Sequence, residues 1–234
     1  MSQRCLLVYT KPSEPGRVKT RLIGAPETGA LSATQAAELH RAFLADLLAE
    51  LAGGRYRLEL AWALEAGEEP PDGHHPGAGL PWRRQEGADL GERLYHGLAA
   101  AARHHLYVAA VGSDHPHLSA ARVERAFALL EAGTDAVFGP AEDGGYYLVA
   151  LSAKILAPAL FAEIPWSSAE TLAATLARCQ ELGLKVELLE PSPDVDTPAD
   201  LGRLVSVLGQ GEACCPETRR LLASWGRLST PSEP

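Results

Sequence analysis

Leu106-Tyr-Val-Ala-Ala-Val-Gly-Ser-Asp-His-Pro-His-Leu118 decides how this chain folds, because it joins an unbroken apolar run to an acidic turn. Leu106 to Val111 has no charged residue and is short, as a strand buried on both faces requires. Burial on both faces predicts a central position in a mostly parallel sheet, and ligands of such sheets bind at the carboxyl edge. Gly112-Ser113-Asp114 emerges at that edge. With Pro116 fixing the turn, Asp114 stands where a hard cation bridging phosphates would be held; the bland alternative is a helix-cap or turn aspartate.

Outward from this strand, short β-rich runs alternate with longer helical patterns. That alternation is the signature of a three-layer α/β/α domain. Upstream, Arg4 to Tyr9 reads as a buried first strand followed by a Pro/Gly-rich loop, and Ser32 caps a helix to Leu51 whose Leu39, Phe43, Leu47 and Leu51 recur every four positions. Leu58 to Leu64 and Pro81 to Glu86 read as strands on either side of a mobile surface loop, and a helix from Leu90 to His104 leads back to the central strand. Downstream, Ser119 caps a helix to Glu131, and Ala136 to Phe138 and Tyr146 to Leu151 flank a Gly-rich turn. A helix starts at Ser167 or Ser168 and ends near Gly183, Lys185 to Leu189 is the last strand, and Pro198 opens a helix to Leu208. Residues 1–210 then form one layered α/β domain. Residues 211–234 add a helix, Pro216 to Trp225, and an unstructured tail, Ser229 to Pro234.

The 234 residues include 46% hydrophobic and 22% charged side chains, enough apolar content to bury one core. A formal net charge of −9 argues against a nucleic-acid partner, which needs clustered cations. No apolar stretch approaches the ~20 residues of a membrane span, and the start MSQRCLLVYTKP is too short in apolar residues for a signal peptide, so a cytoplasmic location is expected. Cys5, Cys179, Cys214 and Cys215 have no C-x-x-C spacing and read as reduced structural thiols.

Three further segments carry possible chemistry. Lys11-Pro-x-x-x-Gly16-Arg17-Val-Lys19-Thr-Arg21 places four cations after the first strand, with Gly16 permitting close backbone approach to phosphate oxygens; a solvated basic loop is the alternative. It fits neither the P-loop nor the dinucleotide fingerprint. Glu142-Asp143-Gly144-Gly145 sets two carboxylates before a glycine pair whose amides can face an anion or sugar hydroxyl, and it is equally an everyday hairpin turn. In Asp194-Val-Asp196-Thr197-Pro-Ala-Asp200, alternation points Asp194 and Asp196 the same way, so either could hold a metal, while Thr197 and Asp200 have capping-box spacing. His115 and His117 resemble a ligand pair but are read as surface residues, as are His74-His75 and His104-His105.

In order, these segments join Gln85-Glu-Gly-Ala-Asp-Leu-Gly-Glu-Arg93, Asp143-Gly-Gly-Tyr-Tyr147 and Pro165-Trp-Ser167 in a series that resembles the bacterial DUF2064 family. That family is a glycosyltransferase-A-like (GT-A) group of nucleotide-diphospho-sugar transferases associated with radical-SAM and arsenosugar gene neighbourhoods. The resemblance spans about residues 4 to 205. It implies a GT-A sheet like those of molybdenum-cofactor and phospholactate guanylyltransferases, with Asp114 and Asp196 as metal-binding acids. Lys11, Lys19 and Arg21 would then face nucleotide phosphates beside Gly16 and Ser113. The expected reaction is sugar transfer from a nucleotide sugar to a small hydroxylated acceptor, with Mg²⁺ or Mn²⁺ on Asp114, Asp196 and Asp194 neutralising the leaving diphosphate. Asp143, or else Glu142, is the candidate base; Gly144 and Gly145 admit the acceptor, and Trp166 walls the sugar or base. Nucleotidyl transfer from a nucleoside triphosphate is the alternative, although no lysine follows in residues 23–31 as sugar nucleotidyltransferases would have it. A catalytically silent nucleotide-sugar binding protein is the third possibility.

Overall fold

The computed structural model of the chain describes residues 3–73, 75–210 and 214–228; the tail Ser229 to Pro234 and His74 lie outside them. Seven strands form one sheet: β1 (Arg4–Thr10), β2 (Arg57–Trp62), β3 (Trp82–Arg84), β4 (Tyr107–Gly112), β5 (Ala136–Pro140), β6 (Tyr146–Ser152) and β7 (Val186–Leu188). Among the described residues six α-helices connect and cover them: α1 (Ala33–Leu51), α2 (Leu90–Ala102), α3 (Ala120–Glu131), α4 (Thr171–Glu181), α5 (Pro198–Gly209) and α6 (Pro216–Ser224). The order across the sheet is β3-β2-β1-β4-β6-β5-β7, so the apolar strand expected at the centre holds the central place. Pairing is parallel except around β6, which runs against both β4 and β5.

Strand alternation divides the core into two layers. Leu6 and Val8 pack with Leu44, Leu47, Leu51, Val123 and Phe127 of α1 and α3, whereas Cys5 and Leu7 pack with Leu94, Leu98 and Cys179 of α2 and α4. The opposite flank of α1, through Leu39 and Phe43, meets Leu201, Leu204, Leu208 and Leu222 of α5 and α6. Helix α6 is also fastened by a buried carboxylate. Asp46 of α1 accepts from the Glu217 and Thr218 amides, each at 2.8 Å, and from the Thr218 hydroxyl at 2.6 Å, so a distant aspartate satisfies the free amides at the start of α6.

The caps sit where the sequence places them, with Ser32 and Thr197 each closing a capping box and Ser119 accepting from Arg122. Two segments differ. Helix α4 starts at Thr171 rather than at Ser167 or Ser168, because Ser167 is left-handed (φ 60°) and the Ser168 and Thr171 hydroxyls both donate to Pro165 O, at 2.7 and 2.8 Å. The 65–81 stretch, expected as a mobile loop, is fastened: Arg84 donates to the Glu65 carbonyl at 2.8 Å, Arg17 to Glu68 at 2.6 Å, and His75 is buried against Trp62. None of the helices among the described residues is long and apolar enough to cross a membrane.

Candidate functional site

At the end of β1 the chain turns outward and comes back at Lys19, a left-handed residue (φ 49°) that opens a short 3-10 turn, Thr20–Leu22. The stem of Lys19 is buried, with Nζ 5.6 Å from the centre of the Phe43 ring. Its ammonium lies 2.5 Å from Asp114 Oδ1, 3.0 Å from Asp196 Oδ1 and 2.7 Å from Val195 O. The two acids expected to hold a metal ion lie side by side, and the group standing between them is the Lys19 ammonium. Arg21 stands at the rim, 69% exposed, with Nη1 3.9 Å from Asp196 Oδ2.

Asp196 reaches Asp114 because the segment after β7 is tied to the sheet edge. Leu189 and Ser192 amides donate to Phe138 and Pro140 carbonyls at 2.8 and 3.0 Å, extending the pairing with β5. From the β4 side, His115 Nδ1 donates to Pro193 O at 3.0 Å, and His117 Nε2 bonds Ser192 Oγ at 3.1 Å. His115 is thus buried and structural, which corrects the expectation of a surface residue; His75 and His105 are buried as well. Beyond Val195, the Asp200 carboxylate accepts from the Asp196 and Thr197 amides at 3.1 and 2.7 Å, so backbone on both sides of Asp196 is held.

The charges shift one another. Burial at the cleft floor opposes the Asp114 anion, but the Lys19 ammonium, with His40 and His115 nearby, brings its pKa down to about 2, even though 46% of the side chain remains open to the cleft. Burial likewise opposes the Lys19 cation, and Asp114 and Asp196 more than reverse this, raising its pKa. Asp194 moves the other way: burial, then repulsion from Asp196 and Asp143, push it up to about 6. Negative charge is in surplus on that side of the cluster.

Two cavities meet at this cluster. One, of about 380 Å³, opens toward the end of β1 and is lined by Lys11, Lys19, Arg21, Ser113 and Asp114. The other, of about 470 Å³, contains Asp143, Gly145, Trp166, Asp194 and Asp196, and shares Arg21, Leu90, Asp114 and Asp196 with the first. The remaining expected residues fall around them unevenly. Glu142 faces Arg203 at 3.6 Å and lines neither cavity. Gly144 (φ 89°) is taken up by packing, since a Cβ there would collide with Ala169 O, and Leu172 N donates to its carbonyl. Asp143 Oδ1 accepts from Gly145 N at 2.9 Å, an Asx turn that leaves Oδ2 to the cavity. Gly16 (φ 80°) shapes the loop, and Arg17 is bound by Glu14 and Glu68 rather than facing the cavity.

The β1-side cavity also contains residues given no role from sequence: Thr10, His40, Gln85 and Arg93. Gln85 Nε2 donates to Ala61 O at 2.8 Å and Thr10 O at 3.2 Å, clasping the ends of β1 and β2. Arg93 is anchored by Nε to Gly87 O at 3.1 Å. Gln85 and Arg93 bracket one of the motif segments, and a charged residue one turn inside a helix at the carboxyl edge was the available signal. His40 had a fainter signal, a polar residue inside the apolar face of α1.

Asp114, Asp194 and Asp196 offer only oxygen donors, the chemistry that suits Mg²⁺ or Mn²⁺, but as a set they do not bring three ligand atoms within 4.8 Å of one another. Another group, Cys5, Glu59 and His105, brings ligand atoms within 4.8 Å of one another near the amino ends of β1 and β4. It is poorly suited to a metal: Glu59 is already paired with Arg57 at 2.6 Å and with Arg83, and burial pushes the Cys5 thiol up to about 12.

The sequence profile of a bacterial family described as "Uncharacterized protein conserved in bacteria (DUF2064)" matches residues 47–168. No curated protein matches the chain in sequence. Among solved structures, a protein of Desulfovibrio desulfuricans provisionally named a nucleotide-diphospho-sugar transferase is 32% identical, with a TM-score of 0.83 over 96% of this chain and 95% of that one. A cytidylyltransferase of Leptospira borgpetersenii superimposes with a TM-score of 0.55 at 10% identity over 100% of both chains. The synthetase of CMP:2-keto-3-deoxy-manno-octonic acid, complexed with CTP, does so with 0.52 at 12% identity over 89% of this chain and 99% of that one. At such identities the last two likenesses show the fold alone, a three-layer sheet of the GT-A type.

Proposed function

Because the chain belongs to the bacterial DUF2064 family, we propose that it is a transferase acting on a nucleotide-diphosphate sugar, with sugar transfer to a small hydroxylated acceptor as its reaction. The observation that carries this reading is the Asp114–Lys19–Asp196 cluster standing in the wall shared by two cavities, so that a donor on one side and an acceptor on the other would meet at the charged group. The nucleotide takes the β1-side cavity, with Lys11, Lys19, Arg21 and Ser113 on its phosphates. Residues 1–210 constitute the transferase unit, and the cytoplasm is its expected location.

Asp114, Asp196 and Asp194 would hold Mg²⁺ or Mn²⁺. Such an ion, when bound, neutralises charge on the diphosphate leaving group. Lys19 and Arg21 add fixed positive charge at the same place, and Lys19 needs no reorganisation because its stem is already packed. On the other side, Asp143 would accept the proton of the acceptor hydroxyl, Trp166 would give the sugar an apolar wall, and Gly145 would admit the acceptor; all three line the second cavity, which supports these roles.

Nucleotidyl transfer is the second reading, favoured by Lys11, Arg21 and Arg93, the basic residues of the β1-side cavity besides the paired Lys19, a supply that suits a triphosphate. Phosphorus NMR of reaction mixtures containing Mn²⁺ and either nucleotide sugars or nucleoside triphosphates separates the readings. A nucleoside diphosphate product supports sugar transfer, and pyrophosphate supports nucleotidyl transfer. Neither product from any donor, with nucleotide still bound, would reduce the protein to a binding module. Asp114→Asn is expected to abolish turnover in either case.

A further inference from the structure

Ser113 directly follows β4, beside Asp114, and its buried side chain lines the β1-side cavity. Its hydroxyl is the last member of a buried polar chain that begins in the 65–81 segment. Gly77 N lies 3.4 Å from His75 Nδ1, and His75 Nε2 lies 3.3 Å from Ser13 Oγ. Ser13 Oγ lies 2.8 Å from His40 Nδ1, and His40 Nε2 lies 3.1 Å from Ser113 Oγ.

The direction of every bond in this chain follows from its first member. A backbone amide can only donate, so His75 Nδ1 must carry a lone pair, and in the neutral ring the proton is then on Nε2. That proton goes to Ser13 Oγ. Among the described residues Ser13 Oγ has no partner besides the two histidines, so its single hydrogen goes to His40 Nδ1, which leaves the His40 proton on Nε2, aimed at Ser113 Oγ. Ser113 thereby accepts from within the protein and keeps its own hydrogen for the cavity. Both imidazoles are held neutral, as the chain requires: burial, first, pushes each down to about 4. At His40 the Asp114 charge pulls upward while Lys19, His75 and Lys11 push down, and at His75 Asp72 pulls upward against Arg41. Trp62 meets the His75 ring edge-on at 5.0 Å and holds it in place.

We infer that the Gly77–His75–Ser13–His40 chain presets the Ser113 hydroxyl as a hydrogen-bond donor into the cleft, so that this position takes an acceptor such as a phosphate oxygen and disfavours an N–H that can only donate. Ser113 is the specificity-determining contact, and His40, Ser13 and His75 are positioning residues. The identity of the accepting oxygen rests on the proposed nucleotide reading; the polarity of the chain does not.

Long-range proton–nitrogen correlation spectra of histidine-labelled protein read the tautomers directly. Both His40 and His75 should show the Nε2–H form, and Ser13→Ala should leave His40 in a mixture while His75 stays as it is. Calorimetric titration with inorganic pyrophosphate in the presence of Mn²⁺ gives the second readout. Ser113→Ala should weaken binding about tenfold, the loss of one hydrogen bond to a charged group, and Ser13→Ala about threefold. An Nδ1–H tautomer at either histidine overturns the chain, and unchanged pyrophosphate affinity in Ser113→Ala overturns the donor assignment. Wild-type protein that binds no pyrophosphate would sink the phosphate reading of the cleft, leaving the tautomers to decide the polarity alone.

Discussion

Replacing Lys19 by methionine keeps the packing of its stem against Phe43 and removes only the charge between Asp114 and Asp196. Breaking a fully buried ion pair costs about 3–5 kcal/mol, because the surviving charge is left uncompensated. Here the survivors are 46% and 32% open to water, so solvent screens part of the loss and about 2 kcal/mol is expected. For a chain of this length that lowers Tm by roughly 4–8 °C, measurable by circular dichroism. Adding Mn²⁺ without nucleotide should restore most of the loss in Lys19→Met, since an ion at a hundred times its Kd contributes about 2.7 kcal/mol, and should move wild-type Tm far less. Equal stability of the two proteins, or equal response to Mn²⁺, would refute the placement of Lys19 as the cation between the acids.

Other expectations follow from the same contacts. Stability should fall between pH 6.5 and 4: His40 and His75 have folded pKa values depressed to about 4, so the unfolded chain takes up their protons first as pH drops, at a cost of up to about 3 kcal/mol each. His115 acts in the same sense, and Asp194, raised to about 6, opposes them; a urea midpoint independent of pH across that window would contradict the buried neutral histidines. Asp46→Ala removes three hydrogen bonds at the start of α6 and should cost about 2–4 kcal/mol, with α6 amides losing exchange protection before the sheet does; protection unchanged would show that α6 is held by its apolar face alone. Gly144→Ala, strained at φ 89° and colliding with Ala169 O, should cost upward of about 2 kcal/mol and impair turnover, and a neutral outcome would show that the 167–170 segment can give way.

Strands and caps were legible because their causes are local. An uncharged run such as Leu106 to Val111 carries its burial in its own residues, and Ser32, Ser119 and Thr197 bond amides three positions ahead. Where several nearby groups could serve, local signals failed: Ser167, Ser168 and Thr171 are all able to start α4, and the choice is made by the Pro165 carbonyl and the close approach at Gly144. The polar interior was less legible still. Asp46 meets partners more than 170 positions away, and His115 is buried by a carbonyl 78 positions downstream. A histidine's neighbours in sequence say little about such contacts, which is why a surface reading was the natural one.

The cluster itself shows what charge counting along a sequence misses. Lys11, Arg17, Lys19 and Arg21 look equivalent as a basic loop, yet Glu14 and Glu68 take up Arg17, and Asp114 and Asp196 take up Lys19. What is left facing the cavity, chiefly Lys11 and Arg21, confronts Asp114, Asp194 and Asp196, while Arg203 is occupied by Asp200 and Glu142. A diphosphate arriving alone would bring more negative charge into a cleft that already has too much, where burial and then repulsion from Asp196 and Asp143 push Asp194 up. Phosphate and divalent cation should therefore enter together, the cation drawn as much by the phosphate oxygens as by the acids, with Lys19 balancing the acids' charge until then.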